Sequence, residues 1–325
     1  MVERFDVAII GSGFGGAVAA MRLAEAGLRV LVLEEGRRFQ DSDFAKSNWN
    51  LRRYLWAPIL RCFGVQAITR LGGLWLLHGK GVGGGSLVYA NTLMQPRRMA
   101  FAGGAWPRGV DWQVELAPYF AKAKSMLGVT ENPLLGVAEA ELKKLGEALG
   151  CADTFHATDV GVYFGDVADV DPYFAGKGPL RVPCSGCGSC MVGCRVGAKN
   201  TLVKNYLWFA EKSGTEIRSE CRVDRVLPDP TGDGYRLRYV KSKSLLPKGI
   251  WLKADQVIVA AGVVGTLRLL SRMKQKGYLP HLSAALGAQV RTNGESLVGA
   301  TRRQGDIDYS KGVAIGAAIH PDAVT

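Results

Sequence analysis

Three clusters in this sequence combine residue types and spacings that could do chemistry. The first is Gly11-Ser12-Gly13-Phe14-Gly15-Gly16, a G-x-G-x-x-G run, followed further along by Glu34. Gly11 allows a tight turn, Gly13 lets backbone approach a pyrophosphate, and Gly16 lets a helix pack close to a strand. Glu34 stands where a carboxylate can accept from a ribose hydroxyl. The second cluster is Gly79-Lys80-Gly81-Val82-Gly83-Gly84-Gly85-Ser86, with apolar residues on both flanks. A simple nicotinamide dinucleotide site does not need such a loop. A long cofactor touching several loops does. The third is Cys184, Cys187, Cys190 and Cys194, spaced C-x2-C-x2-C-x3-C. Followed by Pro, that spacing holds bacterial ferredoxin clusters; Arg195 stands here instead. With one run only, an iron–sulfur cluster on three or four thiols is the form to expect. Zinc and a plain cysteine-rich turn are the competing readings.

The elements that must position these residues are legible around the first cluster. Residues 5–10 are an apolar run fit for a buried parallel strand. Residues 17–26 continue the glycine turn as a helix, with Gly27 suited to its C-terminal cap. Residues 28–33 form a second strand that ends at Glu34. The helix N-terminus offers free N–H groups and a positive dipole end to a phosphate. Later, residues 256–260 read as another buried strand, turning at Ala261-Gly262 into a helix from about Val264. Amphipathic helices are predicted over 111–127 and 138–149. Strands are predicted over 215–226 and 234–240, joined by a Pro-, Asp- and Gly-rich turn.

Five segments together resemble the glucose-methanol-choline (GMC) family of FAD oxidoreductases, in its bacterial cholesterol-oxidase-like branch. They are FDVAIIGSGFGGAVAAMRLAEAGLRVLVLE (5–34), GKGVGGGSLVYANTL (79–93), CGSCMVGCRVGAKNTLVKNYL (187–207), VIVAAGVVGTLRLL (257–270) and LGAQVRTNGESLVGA (286–300). The resemblance runs over essentially the whole chain, with Gly294 in a place where relatives often have Ser. It implies an α/β chain, α+β overall. A Rossmann-like FAD-binding domain would be built from 1–100 and 201–290. An interleaved, incomplete substrate domain would come from 101–200, with the Cys-rich loop, and 291–325. It implies FAD, with Gly11, Gly13 and Gly16 on the pyrophosphate and Glu34 on the ribose. Gly83, Gly84 and Ser86 would lie along the cofactor, and Asn91 would approach the flavin. The backbone of Val223 would contact adenine, and Ala261 and Gly262 would sit at a later cofactor turn. Some GMC dehydrogenases carry a cluster at C-x5-C-x3-C, which matches Cys184, Cys190 and Cys194.

The family reaction moves a hydride from an alcohol or sterol carbon to flavin while a base takes the hydroxyl proton. The family's base and its partner are expected beyond Thr325. Of the four histidines, His78, His156, His281 and His320, none lies in a matching stretch. The expectation is therefore a chain that lacks its catalytic portion, with exposed apolar surface and an open sheet edge. A complementary C-terminal polypeptide or an electron acceptor would be its partner. The alternative function is a non-catalytic flavin-binding or electron-transfer subunit using the cysteines.

Composition limits the remaining classes. The net charge of +12 comes from scattered pairs such as Arg52-Arg53 and Arg302-Arg303, without a long basic run, which argues against nucleic acid. A basic surface would suit an anionic membrane. Tyr54-Leu55-Trp56 and Leu74-Trp75-Leu76-Leu77 could line a greasy route, touch a membrane, or pack internally. No apolar run is long enough to span a bilayer. The chain starts directly with a strand pattern, so no leader peptide and a cytoplasmic location are expected. Seven cysteines in that reducing compartment argue against a disulfide framework.

Overall fold

The computed structural model describes residues 2–102, 106–291, 295–301, 303 and 305–322; Gly294, Arg302 and Thr325 lie outside the described residues. The chain divides into two compact units. Unit 1 comprises Met1–Phe39, Leu51–Gly85 and Tyr206–Asp306, and unit 2 comprises Gln40–Asn50, Ser86–Asn205 and Ile307–Thr325.

Unit 1 is built on a mixed six-stranded sheet. Its strands are β1 (Arg4–Ile10), β2 (Val30–Leu33), β5 (Glu216–Arg218), β6 (Cys221–Pro228), β7 (Tyr235–Lys241) and β8 (Ile250–Val259), in the order β5-β2-β1-β8-β7-β6. β1 runs parallel to both β2 and β8, and β5 runs parallel to β2, while β6, β7 and β8 form an antiparallel meander. A strand buried on both faces needs an unbroken apolar run. All four residues of β2 are buried accordingly, as are Val7 to Ile10 of β1. Phe5, Ala8, Ile10, Leu31, Leu33, Leu237, Leu252 and Met273 belong to one core cluster.

Helix α1 (Phe14–Glu25) follows β1 and buries Gly16, Ala17, Ala20, Met21 and Ala24. All but Met21 are small, which lets the helix lie close to its neighbours. One of them is α4 (Tyr206–Lys212), after which Thr215 Oγ1 donates to Ala20 O. Helix α5 (Gly262–Gln275) follows β8 and buries Leu269 and Met273.

The strand expected over 215–226 is two strands. The chain turns at Glu220, whose φ is +57, and Glu220 N donates to Gly36 O. β5 on one side of the turn pairs with β2, and β6 on the other pairs with β7. The 228–234 turn forms as predicted: Asp229 Oδ1 accepts from Thr231 N and Oγ1, and Asp229 N donates to Gly234 O. In β8, Ile250–Ala254 pairs with β7 and Lys253–Val259 with β1. Beyond Ala254, its side away from β1 carries no ladder partner among the described residues.

Unit 1 also contains a hairpin of β3 (Gln66–Leu71) and β4 (Leu74–Gly79). Ile68, Leu74, Trp75 and Leu77 on it are exposed, Trp75 by 65%. Tyr54, Leu55 and Trp56 are half-buried instead. Among the described residues no helix is long and apolar enough to cross a membrane.

Unit 2 carries the two expected helices, α2 (Trp112–Met126) and α3 (Val137–Ala148). Asp111 starts α2 by accepting from Gln113 N and Val114 N, a side-chain cap for otherwise unpaired donors. Unit 2 buries an unusual amount of polarity in one stretch: Lys199, Asn200, Thr201 and Asn205 are all buried.

Candidate cofactor site

In unit 1 the three central parallel strands end in register, with Ile10 opposite both Leu33 and Val259. Gly11, Glu34 and Ala260-Ala261 are therefore brought to one carboxyl edge of the sheet. Ligands of open α/β sheets bind outside such edges. Gly11 N donates to Leu33 O and Ala260 N to Ile10 O, which fixes both turns. Gly11 has φ +101, and a Cβ on Gly16 would lie 2.1 Å from Gly11 O. No side chain larger than hydrogen fits at Gly16. At Gly13 a Cβ would meet nothing within 4 Å, so there is open space before α1. Helix α1 has no side-chain cap and no acidic residue in its first turn. An uncapped N-terminus of this kind suits an anion.

The second glycine loop lies directly on the first. A Cβ on Gly84 would stand 2.7 Å from Gly13 Cα, and one on Gly36 would stand 2.3 Å from Gly81 N. Val82 N donates to Arg37 O, and Lys80 pairs with Glu35. Ser12, wholly buried, links the parts: Gly83 N donates to Ser12 Oγ (3.1 Å), and Ser12 Oγ donates to Glu34 Oε2 (2.7 Å). Ser12 N also donates to Oε2, and Gly36 N to Oε1. Burial pushes the Glu34 carboxyl above its ordinary value, against the pull of the Gly36 and Ser12 donors.

The remaining unit 1 candidates fall on the same sheet and its edge. Val223 is half-buried in β6, beside a bulge between Val223 and Arg225. Ala261 packs against the core cluster, and Gly262 opens α5 with φ +68. A cavity of 610 Å³ beside α5 is lined by Gly262, Val263, Thr266, Leu267, Gln289 and Arg291, among others.

In unit 2, Ser86 Oγ accepts from Leu202 N (3.0 Å). Asn91 is fully buried in the left-handed region, φ +70, and its side-chain amide lies against the Cys190 thiol without a well-aligned hydrogen bond. A strained residue with unmet donors and acceptors is the local signature of a functional position. Lys199 was not singled out by sequence, yet it organises this loop. Its Nζ donates to Leu87 O (3.1 Å), Tyr89 O (2.8 Å) and Cys190 O (3.0 Å). Burial pushes its pKa down to about 7, while the three carbonyls satisfy all three ammonium donors. Arg181, also missed, donates to Asn200 Oδ1 and to the carbonyls of Pro179 and Lys204. Lysine and arginine read as surface residues, so only their place in a short run of polar residues beside an apolar segment could have marked them.

Cys187 is exposed, while Cys184, Cys190 and Cys194 are half-buried against Val160, Val162, Ala198 and Val313. Gly186 N donates to Cys184 Sγ, and burial pushes the Cys184 and Cys190 thiols up. Among the described residues, no three His, Cys, Asp or Glu side chains are placed to hold a metal ion. The structure gives the expected iron–sulfur cluster, or zinc, no support among the described residues.

The histidines are dispersed. His78 on β4 is half-buried beside Thr69 Oγ1 (3.0 Å), and burial holds its pKa below the ordinary value. The rings of His156 and His320 in unit 2 stack with centroids 5.2 Å apart. His281 is exposed.

Comparison with known proteins bears on these arrangements. Residues 181–274 match the family model described as GMC oxidoreductase, and residues 6–49 match that described as FAD binding domain. The chain is 46% identical to a cholesterol oxidase of Mycobacterium tuberculosis over 100% of its own length and 58% of that protein. It is 44% identical to a cholesterol oxidase of Acinetobacter baumannii over 98% of its length and 59% of that protein. It thus spans under two thirds of these relatives. A long-chain-alcohol oxidase of Arabidopsis thaliana is 30% identical over 70% of the chain and 28% of that protein. Among solved structures, a fungal aryl-alcohol oxidase superposes with a TM-score of 0.52 at 13% identity, covering 83% of this chain and 47% of that one. A formate oxidase from Aspergillus oryzae gives a TM-score of 0.50 at 17% identity, with the same coverage. These two matches show the fold alone.

Proposed function

The chain belongs to the GMC oxidoreductase family, and from that premise we propose that it serves an FAD-dependent oxidoreductase acting on the CH–OH group of a sterol or other alcohol. The observation that carries this reading is the carboxyl edge of the central strands, where Gly11, Glu34 and Ala261 converge and the Gly83-Gly84 loop lies on Gly13. FAD bound there would supply the hydride acceptor for alcohol oxidation.

In this reading Gly11, Gly13, Gly16 and the start of α1 hold the pyrophosphate through backbone N–H groups. Glu34 accepts from a ribose hydroxyl. Gly83 and Gly84 present backbone to the cofactor, as does Val223 toward adenine and Ala261-Gly262 at the later turn. In unit 2, Ser86 and Asn91 are proposed cofactor contacts, Asn91 through a buried amide whose hydrogen-bonding capacity is poorly met. The base that takes the hydroxyl proton is assigned to none of the four histidines. A cluster on Cys184, Cys187, Cys190 and Cys194 has no part in the proposal. Iron and acid-labile sulfide near stoichiometric amounts, after anaerobic purification, would bring back the electron-transfer alternative.

We retain two finer elements as part of the proposal. One is a cytoplasmic location, checked by fractionation. The other is approach to an apolar substrate at a membrane surface, supported by exposed Ile59, Leu60, Leu74 and Trp75 near Arg61 and Arg70 in sequence. The deciding experiment is a UV–visible spectrum of the purified chain with the released cofactor identified, followed by anaerobic addition of a sterol or long-chain alcohol. FAD near equimolar amount supports the cofactor assignment, and bleaching by alcohol supports the reaction. A soluble, colourless chain that takes up no added FAD overturns the assignment for this chain.

A further inference from the structure

We propose that Ser12 is a positioning residue that couples the Glu34 carboxylate to the second glycine loop, so that one hydroxyl sets both ends of the cofactor cradle in unit 1. The proposal deepens the FAD reading and rests on it for the role of Glu34.

The x positions of a G-x-G-x-x-G turn are free to vary as far as the backbone is concerned, since the glycines do the steric work. Ser12 is nonetheless fully buried, and its hydroxyl both donates and accepts. As acceptor it takes the Gly83 N–H at 3.1 Å, and as donor it gives its one proton to Glu34 Oε2 at 2.7 Å. Gly81 O lies farther, at 3.4 Å, and cannot share that proton on equal terms. The chain of donors therefore runs one way, from Gly83 through Ser12 to Glu34.

This arrangement has two consequences. The carboxylate offers roughly four lone-pair positions, and Ser12 N, Ser12 Oγ and Gly36 N occupy three of them. About one remains, so Glu34 accepts from a single ribose hydroxyl rather than gripping two. In addition, the Gly83 amide has no freedom to drift while Ser12 stays bonded to Glu34. The spacing of the two loops is set by a side chain, in addition to the backbone contact at Gly84 and Gly13.

The test uses Ser12→Ala and Ser12→Cys in the whole chain, with folding checked by far-ultraviolet circular dichroism. Hydrogen–deuterium exchange over 79–86 in the absence of FAD reads the loop directly. Exchange at the Gly83 amide should rise in Ser12→Ala, with Ser12→Cys between it and the native chain. FAD affinity, read by fluorescence, should weaken about 10- to 100-fold in Ser12→Ala, the range of a lost hydrogen bond to a charged group. An FAD analogue lacking the adenosine 2′-hydroxyl, and its 3′ counterpart, complete the test. For one of the two analogues the effect of Ser12→Ala should largely vanish, which a general loss of stability would not produce. Unchanged exchange at Gly83 overturns the coupling, as does a Ser12→Ala penalty that is equal for FAD and both analogues. A native chain that binds no FAD overturns the cofactor reading instead, and the exchange result then still decides the coupling.

Discussion

The two glycine loops of unit 1 and the Lys199 region of unit 2 solve the same problem by opposite means. Each must hold irregular backbone in one arrangement. In unit 1 the solution is the removal of side chains: Gly16 against Gly11, Gly84 against Gly13 and Gly36 against Gly81 touch backbone to backbone. In unit 2 it is a long side chain, with Lys199 driven inward to collect the carbonyls of Leu87, Tyr89 and Cys190. The first method is rigid and intolerant of any added atom. The second is adaptable, but it buries a cation with no carboxylate among its bonded partners.

The contrast is broken most sharply at Gly16. Gly16→Ala places a methyl 2.1 Å from Gly11 O, where only backbone can yield. The expected loss is at least about 4 kcal/mol, the range kept for severe steric faults, with no folded protein recovered or the melting transition lost. Next is Lys199→Met, which keeps most of the side chain's length and removes every donor. Three carbonyls, that of Leu87 buried, lose a partner, and about 2–4 kcal/mol should go in urea denaturation. Lys199→Arg should not restore it, because a planar fork cannot reproduce the ammonium geometry.

Glu34 gives a smaller, pH-dependent effect. Its folded pKa is raised, chiefly by burial, above the ordinary value of 4.5. Its contribution to stability is therefore full below about that pH and is lost as pH rises through the folded pKa. Unfolding measured from pH 4 upward should show a decline of up to about 1.4 kcal/mol per pH unit within that window, and Glu34→Gln should flatten it. The smallest effect on folding belongs to Trp75, 65% exposed on the β3–β4 hairpin. Trp75→Ser should change stability by less than about 0.5 kcal/mol while lowering co-sedimentation with anionic vesicles. Unchanged sedimentation would remove the membrane element of the proposal.

The same contrast explains what could be read beforehand. Residues 5–10, α1 and β2 announce themselves because burial on both faces demands continuous apolar runs and the close contacts demand glycine. Glycine at 11, 13 and 16 is a local requirement and leaves a local mark. The break at Glu220 left none, since a positive φ at a glutamate is imposed by its bond to Gly36, far away in sequence. Lys199 and Arg181 were missed for the same reason: their partners are mostly backbone carbonyls, which every residue has. The β3–β4 hairpin did carry a mark that went unused, the Gly72-Gly73 pair between apolar runs.

The junction of Gly36 with Gly81 has a meaning for how such a protein can change. Together with the Val82–Arg37 hydrogen bond and the Lys80–Glu35 pair, it fixes the chain at the foot of the β3–β4 hairpin. Lengthening a loop whose ends are already fixed costs little, since each doubling adds only about 0.6 kcal/mol of closure entropy. The tip of the β3–β4 hairpin at Gly72-Gly73, open on all sides, can therefore be lengthened or shortened without disturbing the register of the glycines on either side. Substrate preference and cofactor retention would then be free to evolve on separate schedules within one continuous chain.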